Sequence, residues 1–182
     1  MDRIDLGARG FFATPRIDFD HETGKGSPFY YFAQGATVAE VRIDRFTGEL
    51  SVPRVDLLMD VGRSINPGID RGQLLGGFVQ GMGWVTNECL VYDKQGRLLT
   101  TNASTYKIPA ATDVPAEFNW DFFATKDPIT AIAGSKGVGE PPFLHALAVW
   151  SAAKHAISCV SVSAARQLSL PASAEVICRA LG

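Results

Sequence analysis

The residues best equipped for chemistry lie in AIAGSKGVGEPPFLHALAVW, positions 131–150. A single carboxylate, Glu140, stands between a glycine-rich loop and two prolines that open an apolar run of helical period. Proline is tolerated in the first turn of a helix, where amides have no intrahelical acceptor, so Pro141 and Pro142 place Glu140 at or just before a helix start. Two uses of the carboxylate stand open. It can cap the helix, accepting free amides and facing the positive end of the dipole. It can also be a general base, since a water-poor pocket disfavours the anion and makes a lone carboxylate a better proton acceptor. Gly134, Gly137 and Gly139 would let the loop approach a ligand closely, while Ser135 offers a hydroxyl and Lys136 a cation, a set suited to an anionic or polar cofactor. A solvated loop lysine is the plain alternative for Lys136.

Other chemistries find less support. GSKGVGE lacks the spacing of a phosphate-binding loop and its terminal Lys-Ser/Thr. His21, His145 and His155 make no ligand spacing, so no metal-ligating residue is assigned. No nucleophile elbow accompanies Ser104 or Thr105, which leaves a hydrolase without a nucleophile. The 182 residues are 46% hydrophobic and 20% charged with a formal net charge of -2, the composition of a soluble globular protein without the basic excess that nucleic acid requires. Cys89, Cys159 and Cys178 are odd in number and far apart, and read as free or buried thiols of a reducing compartment. The start, MDRIDLGARGFF, has no apolar signal core, and GQLLGGFVQGMGWVTN (72–87) is too short to span a bilayer. A cytoplasmic location with no membrane partner is the expectation.

The elements that must position Glu140 follow from pattern. Residues 1–28 form an irregular arm, and 29–182 the domain proper. In the latter, FYYFAQGATVAEVRID, the turn RFTGE and LSVPRVDLLMDVG read as a strand hairpin. Asn66-Pro67-Gly68 opens a helix carrying Leu74, Leu75, Phe78, Val79, Met82 and Val85 at helical spacing. Its glycines at 72, 76, 77, 81 and 83 each cost about 1 kcal/mol against alanine, so the bare stripe must admit either a ligand or another backbone. CLVYDKQGRLLTT turns at Lys94 to Gly96, EFNWDFFA alternates as a strand, the helix after Glu140 runs through Phe143 to Ile157, and a short helix capped near Ser173 ends before Gly182. The fold expected is α+β: mainly antiparallel strands packed against two long helices.

Taken together, GFFATPRIDFD, PFYYFAQGATVAEVRID, GRSINPGIDRGQLLGGFVQGMGW, STYKIPAATDVPAEFN and SKGVGEPPFLHALAVWSAAKHAI resemble, in order, the C-terminal part of the molybdenum-binding subunit of xanthine dehydrogenase, a molybdenum hydroxylase. The resemblance covers the chain from about Gly7 to the final helix. It implies oxidative hydroxylation of hypoxanthine or xanthine at the molybdenum cofactor (molybdopterin), with the glutamate of GVGEPP, here Glu140, as the catalytic base. It implies further that Gln73, in DRGQLLGG, hydrogen-bonds the cofactor, that Lys136 lies near the pterin, and that Ser135 and Gly139 shape the same wall. The family's pattern has alanine in place of Gly137 and a bulkier residue in place of Gly134. The substrate clamp and remaining cofactor contacts belong to upstream segments in that family. The partners implied are therefore the remainder of the molybdenum subunit, an iron-sulfur and FAD subunit or region, the purine, and a second copy in a homo-oligomer. On this reading the chain alone is inactive. The rivals are a related hydroxylase for another N-heterocycle or an aldehyde, and a non-catalytic assembly domain.

Overall fold

The structure, a computed structural model, describes residues 6–15, 17–123 and 131–182, in two compact units, Met1–Phe32 and Ala33–Gly182. The first contains a small antiparallel hairpin of β1 (Asp18–Asp20) and β2 (Lys25–Ser27). Its turn is organised by the Asp20 carboxylate, which accepts from the Glu22 amide at 2.9 Å and the Thr23 hydroxyl at 2.7 Å.

The second unit is built on a three-stranded sheet in the order β3 (Gly35–Ile43), β4 (Leu50–Asp60), β5 (Glu117–Phe123). The expected hairpin is β3 and β4, antiparallel, with Asp44 Oδ1 accepting from the amides of Phe46 at 2.7 Å and Thr47 at 2.9 Å, and Gly48 at φ +71°. Pro53 is tolerated inside the central strand because the β3–β4 register shifts between Glu40 and Arg42, and β5 pairs only from Arg54 onward. β5 runs parallel to β4, so the sheet is mixed; the other two strand pairings are antiparallel. A parallel neighbour needs a long crossover, and the chain between Asp60 and Glu117 supplies it with α1 (Pro67–Thr86).

Period-2 alternation gives the sheet two unlike faces. Val55, Leu57 and Met59 point inward with Phe118, Trp120 and Phe122 of β5. On the other face Arg54, Asp56, Glu117 and Asn119 form a hydrogen-bonded polar lattice. Leu74, Phe78, Met82 and Val85 of α1 close the inner face, and the Phe78 and Phe118 rings meet at 5.0 Å. The helix expected after Glu140 is divided into α2 (Pro141–Leu144) and α3 (Leu147–Ser158). Across the junction the amides of His145, Ala146, Ala148 and Val149 bond three residues back instead of four, a tightened turn. Val149 joins the main core, and Ala153 and Ile157 enter a second cluster with α4 (Val162–Gln167) and α5 (Ala174–Leu181). As expected, Ser173 caps α5 through Val176 N, and Gly182 follows its end. The cysteines are free, and among the described residues no helix is long and apolar enough to cross a membrane.

Candidate active site

Two of the expected site residues, Ser135 and Lys136, lie against the segment where β4 ends and α1 begins. After β4 the chain passes through 61–66, and Asn66 starts α1 by accepting from Ile69 N at 3.3 Å. Ser64 donates to the buried Asp70 at 2.5 Å, which fixes this connection. Against it lies the loop before Glu140: Gly62 and Ser135 form an antiparallel bridge, flanked by Arg63 N to Gly134 O and Lys136 N to Val61 O, each 2.8 Å. Gly134 sits at φ +70°, a backbone region that disfavours the bulkier residue of the family pattern. The Ser135 hydroxyl donates to Ile132 O at 3.0 Å.

Lys136 is not a solvated loop lysine. Its ammonium is paired with the Asp60 carboxylate, and the two side chains are 5% and 0% exposed. Asp60 also accepts from Gly62 N at 2.7 Å. Sequence reasoning had not singled out Asp60. The one available signal was a carboxylate ending an apolar strand, DLLMD.

Glu140 occupies the N-cap position of α2, with φ −97° and ψ −35°, yet its side chain makes no capping bond. The capping use is thus not realised, because α2 is a single turn and Pro141 and Pro142 have no amides to offer. Among the described residues the Glu140 carboxylate has no hydrogen-bond or ion-pair partner, and it is exposed. Gln73, also exposed, lies one turn before Gly77 on the same face of α1. At Gly77 an added Cβ would stand 2.8 Å from Pro142 Cβ, so α2 rests on α1 just beyond Glu140. Gln73 and Glu140 each precede this contact on their own segment.

The glycine stripe divides into a packed part and an open part. Gly77 and Gly81 admit α2: a Cβ at Gly81 would press on the Phe143 carbonyl and lie 2.8 Å from Ala146 Cβ. Gly72, Gly76 and Gly139 face open space, with nothing within 4 Å of an added Cβ. Bare backbone beside an amide, a hydroxyl and an unengaged carboxylate is a donor and acceptor set that fits the polar edge of a large cofactor. Among the described residues Ile65, Ile69, Ile132 and Leu144, on the segments that frame it, are exposed as an apolar rim.

Nearby, His145 lies beside Gly35 with Nδ1 2.6 Å from the Thr37 hydroxyl, and burial lowers its pKa. It is a packing residue. A groove of about 670 Å³ between the start of β4 and the end of α1 includes Val52, Thr86, Lys107 and Ser173, and none of the five expected site residues lines it. Among the described residues no three His, Cys, Asp or Glu side chains converge as a metal site.

The profile of the molybdopterin cofactor-binding domain matches residues 1–115. The chain belongs to this family. The domain is 46% identical over 165 residues to xanthine dehydrogenase of Oryza sativa subsp. japonica, covering 87% of this chain and 12% of that protein. Among solved structures it is similar to quinoline 2-oxidoreductase of Pseudomonas putida 86, with 31% identity, TM-score 0.72, and 82% of this chain and 18% of that one covered. Carbon monoxide dehydrogenase of Oligotropha carboxidovorans also has TM-score 0.72, at 28% identity, over 81% of this chain and 18% of that one. The domain spans about 12% of the length of the curated relatives it matches. The xanthine dehydrogenase resemblance and the α+β fold are both borne out.

Proposed function

We propose that the domain supplies the wall of a molybdenum-hydroxylase active site that carries its general base, within a longer xanthine dehydrogenase acting on hypoxanthine or xanthine. The observation that supports this most directly is Glu140, held at a helix start but spared from capping it. When bound, the molybdenum cofactor supplies the two-electron redox chemistry of hydroxylation. Gln73 would hydrogen-bond its polar edge through the side-chain amide, the open backbone at Gly72, Gly76 and Gly139 would let it come close, and Ser135 would complete that wall. Glu140 accepts the proton released as the substrate carbon is hydroxylated, at a carboxylate oxygen that no capping bond diverts. The apolar rim of Ile65, Ile69, Ile132 and Leu144, once covered by the remainder of the molybdenum subunit, excludes water and strengthens that base. Iron-sulfur and flavin centres elsewhere in the assembly would accept the electrons. The domain alone, lacking the other walls, does not turn over.

The test is Glu140→Gln in the assembled enzyme. The expected result is a loss of roughly 10²–10⁴ in kcat with xanthine at unchanged molybdenum content. Wild-type turnover by the variant, or by the lone domain, would refute the reading. Similarity to quinoline 2-oxidoreductase favours one second reading, another N-heterocycle as substrate. It gains if the loaded enzyme oxidises quinoline and leaves xanthine untouched.

A further inference from the structure

We infer that Asp60 is a positioning residue for Glu140, acting through Lys136. The inference rests on the reading of Glu140 as the base. Both oxygens of Asp60 are engaged at the end of β4, Oδ1 by the Gly62 amide at 2.7 Å and Oδ2 by the Lys136 ammonium, with the carboxylate fully buried. Removing two charges from water offsets most of what their attraction returns, so such a pair adds little net stability. What it does provide is registration. It fixes the side chain of Lys136 where the backbone bridge of 134–136 on 61–63 fixes its main chain. From Lys136 only Gly137, Val138 and Gly139 intervene before Glu140, and Val138 packs on the core. On the far side Pro142 rests on Gly77. Glu140 thus hangs between Pro142 on the helix side and, on the loop side, Val138 on the core with the Asp60 latch beyond it. With its side chain 5% exposed and its ammonium paired with Asp60, Lys136 serves this latch.

The experiment uses the assembled enzyme with Asp60→Asn, Lys136→Met and the double variant Asp60→Leu/Lys136→Met. It measures kcat, KM, molybdenum content and hydrogen exchange of amides 134–140. Each single variant is expected to keep its molybdenum and KM, lose about 10²-fold in kcat because a base displaced by about 1 Å is misaligned, and exchange the 134–140 amides at least about tenfold faster. The double variant is expected to be no worse than either single, as coupled partners require. Wild-type kcat and loop protection in Asp60→Asn, with Lys136→Met impaired, would overturn the latch in favour of direct cofactor contact by Lys136. If the singles do not fold, the double variant, free of an unpaired buried charge, decides: a loosened loop with low kcat supports the latch, and wild-type protection and kcat overturn it. Loop protection is read without turnover. A failure of the base reading, seen as an active Glu140→Gln enzyme, is therefore distinguishable from a failure of the latch.

Discussion

The same substitution at two glycines of α1 should have opposite effects on stability. At Gly76 an added methyl meets nothing within 4 Å, so Gly76→Ala removes only the helix penalty of glycine and stabilises by about 0.5–1 kcal/mol. For a chain of this size that is a rise of about 1–4 °C in Tm. At Gly81 the methyl would fall on the Phe143 carbonyl oxygen and 2.8 Å from Ala146 Cβ, with the Phe143 carbonyl carbon at 3.1 Å. Ordinary carbon contacts lie about 1 Å further out, and backbone of α2 cannot swing aside as a side chain can. Overpacking of this kind costs about 1–3 kcal/mol, and relief requires α2 to move away from α1. Subtracting the propensity gain of about 0.5–1 kcal/mol, Gly81→Ala should be destabilised by up to about 2.5 kcal/mol. Denaturant unfolding of the two variants beside wild type measures both signs, each variant serving as the other's control. In the assembled enzyme Gly81→Ala should lose up to about 10²-fold in kcat as α2 carries Glu140 away. Gly76→Ala, more stable, should instead lose molybdenum, since its methyl projects into the open stripe beside Gln73. Shifts of the same sign in both variants would refute the division of the stripe, and full molybdenum content in Gly76→Ala would refute the cofactor's approach there.

His145 gives a pH dependence. Burial lowers its folded pKa below the ordinary 6.5, so the unfolded chain takes up the proton first. Stability is therefore complete above about pH 6.5 and falls as pH drops through the folded value. Unfolding midpoints at pH 7.5 and 5.5 should show the loss, and His145→Gln should abolish it; an unchanged slope in that variant would assign the effect elsewhere. A second loss, from Asp44 and Asp56, belongs to a separate acid window, because hydrogen bonds lower those pKa values from 3.8. Tyr106 donates to Glu88 at 2.6 Å, and that carboxylate raises the phenol above its usual 10.0. Ultraviolet titration of the tyrosines should lose its highest-pH step in Glu88→Gln, and retention of the step would disprove the pairing.

What was legible in the sequence was mostly short-range. Asn66-Pro67 and Ser173 mark helix starts because a capping side chain and the amides it satisfies lie three residues apart. The hairpin turn at Asp44–Gly48 was equally plain, since the aspartate bonds amides two and three residues on. The single long helix after Glu140 was not correct in detail. Apolar period continues through Phe143 and Ala146, but periodicity does not distinguish four-residue from three-residue hydrogen bonding, and the break at His145 and Ala146 arises where Phe143 presses on Gly81.

The sequence by itself determined the family, most of the main elements and the position of Glu140 at a helix start, because these depend on residue order and on bonds spanning a few residues; it missed the β1–β2 hairpin in the arm expected to be irregular, and α4. Tertiary structure decided which partner each polar group takes. The alternation of β4 assigns Val55, Leu57 and Met59 inward, so Asp60 should face out, yet it is fully buried because a loop 76 residues later folds over it and brings Lys136. Likewise β5 lies parallel to β4 only because α1 carries the chain across. One glycine stripe then divides between a helix and open space according to where α2 comes to rest. These are consequences of packing between distant segments, and no local preference encodes them.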